Sequence, residues 1–197
     1  MITLDEFYRS MRELNREEAE RYYPWFNGAL VEFGITDKKE IAYFIGQLAH
    51  ESMGLTYWEE IWGPTPTQSR YGTRADLGNT DPKAKEAATK AGFVDENGFV
   101  DVGKFFSGHG PIQTTGYANH KRVADKLNID CVNKPKLLCQ PEHGFRAACL
   151  FWVDNKCKLW VDKDDIKGLT RKINGGFNGL EDRIARTEKA LKALGVS

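Results

Sequence analysis

Ile41-Ala42-Tyr43-Phe44-Ile45-Gly46-Gln47-Leu48-Ala49-His50-Glu51 is the stretch on which the fold turns. Ile41, Phe44, Ile45, Leu48 and Ala49 recur at i, i+3, i+4, i+7 and i+8, the pattern of a helix that presents one face to a core. Glu51 lies three residues past Leu48 and seven past Phe44, so it prolongs the apolar stripe. A carboxyl so placed is partly desolvated, which favours its proton-holding form near neutrality. The chain then breaks at Met53-Gly54, and Glu59 and Glu60 follow two aromatics, Tyr57 and Trp58.

Upstream, Thr3 and Glu6 have capping-box spacing for a helix over 4–14, and Asn15 with Glu18 repeats the device for a helix toward Tyr23. Pro24 disfavours helical geometry at Tyr23 and opens a new helix that Gly34 ends. Thr36 caps the helix carrying the quoted stretch. Downstream, 61–80 is rich in Gly, Pro, Thr and Asn and reads as a loop-dominated wall. Asp81-Pro82 starts an alanine-rich helix closed by Gly92, and Phe93-Val94 and Phe99-Val100 flank Asn97-Gly98 as a hairpin. The glycine-punctuated run 105–116 is extended, followed by helices over 117–127, from Pro141 (Phe145, Ala148, Cys149, Trp152 and Val153 inward), over 163–173, and from Leu180 on. Arg186, Lys189 and Lys192 of the last helix form a solvated face. The fold class is mainly α, a single helical domain over 1–197 with a small β-hairpin.

With 197 residues the chain has enough length to bury a sizeable core. Its 28 basic residues balance 28 acidic ones, so composition argues for neither nucleic acid nor an anionic membrane as partner. No apolar run reaches the ~18 residues of a membrane span, and no basic head with an apolar stretch marks a secretory signal. Cys131, Cys139, Cys149 and Cys157 admit three pairings that spacing cannot choose among. Cys149, on an apolar stripe, reads as a buried free thiol.

On one continuous helix Glu51 and Glu60 stand on opposite faces, roughly 13 Å apart along the axis. A break at Gly54 lets the second carboxylate swing back, and two carboxyls at roughly 6.5–9.5 Å are what inverting glycoside hydrolysis needs. Glu59 is the rival to Glu60, one residue of loop shift away. Other chemistries are excluded more firmly. His50-Glu51 lacks the second histidine of a zinc protease, Gly54 standing in its place. Gly108-His109-Gly110 lacks the third glycine of a dinucleotide loop, no Walker lysine motif or serine-hydrolase elbow occurs, and four scattered histidines offer a metal little.

Five segments in order, His50-Glu51-Ser52-Met53-Gly54-Leu55, Glu60-Ile61-Trp62-Gly63-Pro64-Thr65, Asp76-Leu77-Gly78-Asn79-Thr80, 108–119 and Ile173-Asn174-Gly175-Gly176, together resemble glycoside hydrolase family 19, especially its compact endolysin-like members. The resemblance implies a lysozyme-like helical fold and roles for the matching positions. Glu51 is the general acid, Glu60 the general base, and Thr115 helps to hold the attacking water. Gln113, Asn119 and Asn174 bind sugar hydroxyl and acetamido groups, with Tyr57, Trp62 and Arg74 as further substrate contacts. Arg183 organises the carboxylates and His50 packs behind them. The chain departs from the family where Met53 replaces a glycine, where Tyr71-Gly72-Thr73-Arg74 replaces Tyr-Glu-Gly-Arg, and where His109 replaces an arginine.

The expected protein is therefore a monomeric glycosidase that needs no metal or cofactor and whose partners are glycan strands, not nucleic acid or membrane. Its expected substrate is peptidoglycan, with chitin as the alternative and a non-catalytic glycan-binding domain as the other class. It is expected to be made in the cytoplasm and to act on the cell wall after release.

Overall fold

The computed structural model describes residues 1–196. Among them ten α-helices follow one another: α1 (Leu4–Ser10), α2 (Arg16–Glu32), α3 (Lys38–Glu51), α4 (Pro82–Lys90), α5 (Val102–Phe105), α6 (Tyr117–Leu127), α7 (Pro141–Asp154), α8 (Lys158–Val161), α9 (Ile166–Asn174) and α10 (Leu180–Ala193). No sheet or barrel forms among the described residues; three isolated antiparallel bridges are the β-structure. No helix is long and apolar enough to cross a membrane. The chain divides into two compact units, Met1–Tyr57 with everything from Ala148 onward, and Trp58–Ala147.

In the first unit the capping box at Thr3 forms as expected, with the Thr3 N–H on the Glu6 carboxylate at 2.7 Å. The helix stops at Ser10 instead of running to 14, because the Ser10 hydroxyl turns back onto the Phe7 carbonyl at 2.6 Å and Met11 goes extended. Pro24 does not divide the next helix: α2 continues through it. Proline removes one backbone hydrogen bond, but Ala19, Tyr22, Phe26, Ala29 and Leu30 are buried on either side of it, and that packing outweighs the loss. Asp37, not Thr36, caps α3, its carboxylate accepting the Glu40 N–H at 3.1 Å.

Every residue of α3 from Glu40 to Ala49 is buried, so this helix is central to its unit. Phe7, Phe26, Phe44 and Trp152 run through the core as a chain of rings with centroids 4.8, 6.1 and 5.0 Å apart. Trp152 is core, as its stripe predicts, whereas Val153 is 46% exposed because the next helical position turns away from that stripe. Where α10 crosses α3, a Cβ at Gly46 would stand 2.9 Å from the Thr187 backbone, so only glycine permits this approach. The helix expected from 163 starts at Ile166, because the Asp165 carboxylate caps the Gly168 N–H at 2.7 Å. Gly175, at φ +75°, ends it.

In the second unit Ala84 and Ala88 of α4 pack with Val102, Phe105, Phe106 and Tyr117, and Phe93 and Val100 close over them. The hairpin is a single bridge, Val94 to Val100, tightened by Asp95, whose carboxylate accepts the Asn97 and Phe99 N–H groups at 2.9 and 2.8 Å. The run 105–116 is turn-rich rather than extended, and α5, which the sequence reading missed, is set by the Asp101 cap on the Lys104 N–H at 2.8 Å. α6 spans the predicted 117–127; Gly116 precedes it at φ +87°, where a Cβ would lie 2.7 Å from the Leu77 carbonyl oxygen.

Candidate catalytic site

The first unit supplies Glu51 as the last residue of α3. Arg183 of α10, 1% exposed, donates through Nη2 to the Glu51 carboxylate, through Nη1 to Gln47 Oε1 at 2.6 Å, and through Nε to the Asn178 carbonyl at 3.4 Å. Gln47 and Glu51 are one turn apart on α3, so a single guanidinium reads both. The Glu51 side chain is 20% exposed, leaving the carboxyl one face open. His50 donates from Nδ1 to Asp182 Oδ2 at 2.7 Å, with its ring against Gly179, where any Cβ would overlap it.

Asp182 also receives the Arg186 Nε at 2.7 Å, and the two Nη groups of Arg186 fork onto Glu13 at 3.0 and 2.8 Å. Burial pushes the Asp182 carboxyl up, but the hydrogen bonds from His50 and Arg186 outweigh it and hold the group below the usual range. Arg186 is thus not on a solvated face: it is 7% exposed and ties α10 to the segment before α2, because two carboxylates satisfy its charge.

Glu51 is followed by a strained turn. Met53, Gly54 and Leu55 all have positive φ, +47°, +64° and +67°, held by the Ser52 hydroxyl, which donates to the Leu48 carbonyl at 2.7 Å and accepts the Leu55 N–H at 2.8 Å. Two of these residues are not glycine, each at a cost of about 1–2 kcal/mol. Tyr57, exposed, closes the turn by donating its N–H to the Ser52 carbonyl at 2.9 Å. Asn174 is exposed at the C-terminal end of α9.

The second unit supplies Glu60. Its N–H donates to the Gly108 carbonyl at 2.8 Å, and the Gly108 N–H returns to Glu60 Oε2 at 2.9 Å. Gln68 Nε2 and the Tyr71 hydroxyl donate to Oε1 at 2.9 and 3.1 Å. Burial and then the Glu60 charge push the Tyr71 phenol up to about 12, so it stays a donor. Gln68 is itself fixed: Nε2 also reaches the Ile61 carbonyl at 2.9 Å and Oε1 accepts the Thr65 N–H at 2.8 Å. Both lone-pair sites of Oε1 are therefore filled, while Oε2 keeps one. Glu59 is exposed and pairs with the surface Lys136 at 3.0 Å, so Glu60 is the carboxylate built into the unit.

Thr115 donates its hydroxyl to the Gln113 carbonyl at 2.9 Å, leaving its oxygen free to accept. Gln113, at φ +54°, donates Nε2 to the Gly110 carbonyl at 3.0 Å, and Asn119, in the first turn of α6, donates Nδ2 to the Thr115 carbonyl at 2.8 Å, which ties the helix start to the loop that carries Gln113 and Thr115. Trp62 packs against Tyr71, centroids 6.0 Å apart, and Arg74 forks onto Asp76. Trp58 packs edge-on to Phe145, and its carbonyl accepts the Gly110 N–H at 2.7 Å. His109 is buried, with Nδ1 3.2 Å from Nε2 of His120, whose Nδ1 donates to the Gly116 carbonyl at 2.8 Å. Burial, then His109, pushes His120 down to about 3. Burial also lowers His109, against the pull of Glu59 and of a hydrogen bond to the Ser107 backbone.

Sequence reasoning missed Gln47, Gln68, Asp182 and His120. Only Gln68 had a local signal, Thr65 three residues ahead of it, whose hydroxyl accepts the Gln68 N–H at 3.2 Å. All four cysteines are free thiols, and among the described residues no group of three or more His, Cys, Asp or Glu side chains is placed to hold a metal.

The family model of class I chitinases matches residues 18–168. Endochitinase 1 of Theobroma cacao is 30% identical over 191 residues, covering 82% of this chain and 55% of that protein. A glycosyl hydrolase family 19 domain-containing protein of Haemophilus influenzae is 24% identical over 170 residues, covering 82% and 83%. The chain spans between half and three fifths of the length of the plant endochitinases it matches. Among solved structures, chitinase C from Streptomyces griseus HUT6037 superposes with a TM-score of 0.73 at 21% identity, covering 100% of this chain and 77% of that one, a likeness of fold.

Proposed function

The chain belongs to glycoside hydrolase family 19, and we propose that it hydrolyses the β-1,4 bonds of chitin with inversion, acting as one catalytic domain without a cofactor. Peptidoglycan is the expectation from compactness, the resemblance to endolysin-like members and the lack of an export signal. The relatives named as endochitinases move the preference to chitin.

Glu51 gives its proton to the leaving glycosidic oxygen as the bond to the anomeric carbon breaks. Glu60 takes a proton from the water that attacks that carbon from the opposite face. The observation that carries this reading is the seat of Glu60. Three neutral donors orient its carboxylate and leave one lone-pair site on Oε2 for the water. Thr115 adds an acceptor for the same water, and Arg183 fixes the direction of Glu51. Gln113, Asn119, Asn174, Tyr57, Trp62 and Arg74 are the proposed sugar contacts.

The test follows new reducing ends from a chitin hexamer, with the anomer read by proton NMR. Glu51→Gln and Glu60→Gln each lower kcat by roughly 10²–10⁴ with the fold intact, while Glu59→Gln leaves most of the rate. A fully active Glu51→Gln, or equal mild losses at Glu59 and Glu60, refutes the assignment. Binding without turnover by the unaltered protein makes it a glycan-binding domain instead.

A further inference from the structure

His109 is the middle residue of three short segments that the backbone ties side by side in the second unit. It forms antiparallel bridges to Glu59 on one side and to Thr114 on the other, exchanging N–H and carbonyl with Thr114 at 3.0 and 2.9 Å. The residue after each of these partners is a group of the proposed reaction, Glu60 and Thr115. Gly110 donates its N–H to the Trp58 carbonyl at 2.7 Å and Glu60 donates to the Gly108 carbonyl at 2.8 Å, so the pairing with the Glu60 segment is closed on both sides of His109.

Neither neighbour of His109 on the middle segment can carry a side chain. A Cβ on Gly108 would stand 2.5 Å from Gln113 Oε1, and one on Gly110 would stand 2.9 Å from the Leu138 carbonyl oxygen. Between them the His109 ring is the anchor. Its hydrogen-bond partner across the fold is His120 of α6, and the two rings meet edge-on with centroids 5.2 Å apart. His120 is fixed in turn by the Gly116 carbonyl and by the Phe106 ring, 5.3 Å away. The two histidines are 2% and 0% exposed, so neither meets a substrate directly. Burial keeps both uncharged near neutrality, so they supply direction rather than charge. Filling the space alone would be served as well by apolar side chains; the directional bond between the rings is what holds the middle segment at one height against α6.

We propose that His109 and His120 are positioning residues for the reaction: their hydrogen bond sets the register of the middle segment and, through it, the placement of Glu60 relative to Thr115. The inference rests on the hydrolase reading of Glu60. The link from ring to base is short, because the Gly108 N–H that orients Glu60 Oε2 belongs to the peptide directly before His109. The link to Thr115 runs through the paired Thr114.

The test measures kcat and KM on chitin hexamer together with amide hydrogen exchange by NMR. His109→Leu fills the space without the bond, and His120→Phe keeps the packing on Phe106 and removes the acceptor. Each lowers kcat by roughly 10- to 100-fold, the size of effect that a small misplacement of a reacting group produces. KM changes by less than about threefold, because ground-state binding is not what is lost. His109→Asn sets an amide N–H near the place of Nδ1 and recovers most of kcat. Val123→Ala, a buried change elsewhere on α6, lowers Tm and leaves kcat as it was. In the Leu and Phe variants the Glu60 and Thr114 amides exchange at least about tenfold faster, and in the Asn variant they do not. A His109→Leu protein that loses Tm but keeps kcat, or an Asn variant no better than Leu, overturns the proposal. Should His109→Leu not fold, His120→Phe decides on the same two readouts. If the unaltered protein cleaves no chitin, the hydrolase reading fails by itself, and unchanged exchange at Glu60 and Thr114 in the variants overturns the positioning claim separately.

Discussion

Replacing Arg183 with Met keeps a long side chain in the buried slot and removes the charge that three partners share. The loss has two parts. Gln47 Oε1 gives up its 2.6 Å donor while Gln47 Nε2 is already without a partner, so a buried amide is left wholly unsatisfied, at about 1–3 kcal/mol. The Glu51 carboxylate loses its cation, but 20% exposure of its side chain lets water replace part of the interaction, so this part falls well below the 3–5 kcal/mol of a fully buried broken pair. The sum is roughly 2–4 kcal/mol, and at ~2–4 °C per kcal/mol for a chain of this size Tm falls by about 4–16 °C. Urea unfolding followed by circular dichroism reads the change in midpoint at constant slope. Adding Gln47→Leu recovers about 1 kcal/mol or more, because no orphaned amide remains. An Arg183→Met protein within ~0.5 kcal/mol of the parent, or a double variant no better than the single one, would refute the claim that this guanidinium links α3 to α10.

Burial raises the Glu40 carboxyl above its usual 4.5, against the hydrogen bond from Trp152 Nε1 at 2.8 Å. A raised folded value means stability present below the unfolded pKa and lost as pH rises through the folded one. Glu40→Gln keeps the acceptor and sheds the charge, so its urea midpoint exceeds the parent's at pH 8 and matches it at pH 4; a gap independent of pH contradicts this. Met53, 55% exposed at φ +47°, stands where glycine has no steric penalty, so Met53→Gly raises stability by roughly 0.5–1 kcal/mol in thermal unfolding, net of the added chain entropy. Gly46→Ala forces the Thr187 backbone away from α3 and lowers stability by about 1–3 kcal/mol, a change that should appear as a lower Tm. Burial pushes Cys131 and Cys157 up to about 12 and raises Cys139 and Cys149 as well, so a thiol-specific disulfide reagent at pH 8 labels the folded protein slowly, half-buried Cys139 first, and all four only in denaturant.

The helices that were legible in the sequence are those whose signals are local. Thr3 and Asn15 announce their capping boxes, α6 begins and ends where its pattern does, and the stripe through Ile41 and Leu48 marks a core helix. Pro24 misled because its local penalty is real and is overridden by burial along the whole of α2, a sum over residues that no single position displays. Arg186 misled for a related reason: its partner Glu13 is 173 residues away, and helical spacing cannot reveal a neighbour on another segment. The site divides in the same way. Glu51, Glu60, Arg183 and the run 113–119 stand out by residue type and order, whereas the groups that orient Glu60 are an ordinary glutamine, a tyrosine and one glycine N–H. Their identity follows from the fold alone.

The His120–His109 pair has an arithmetic of its own. The Gly116 carbonyl can only accept, so Nδ1 of His120 must carry a proton. With His120 depressed to about 3, its Nε2 is a bare lone pair near neutrality, and Nδ1 of His109 has to be the donor between the rings. Neutral His109 then has no proton on Nε2. The tautomers of both rings are thereby dictated by a single peptide oxygen at the start of α6, and a further proton arrives only when the pH drops below the lowered value of His109, placing a positive charge beside the peptide that holds Glu60.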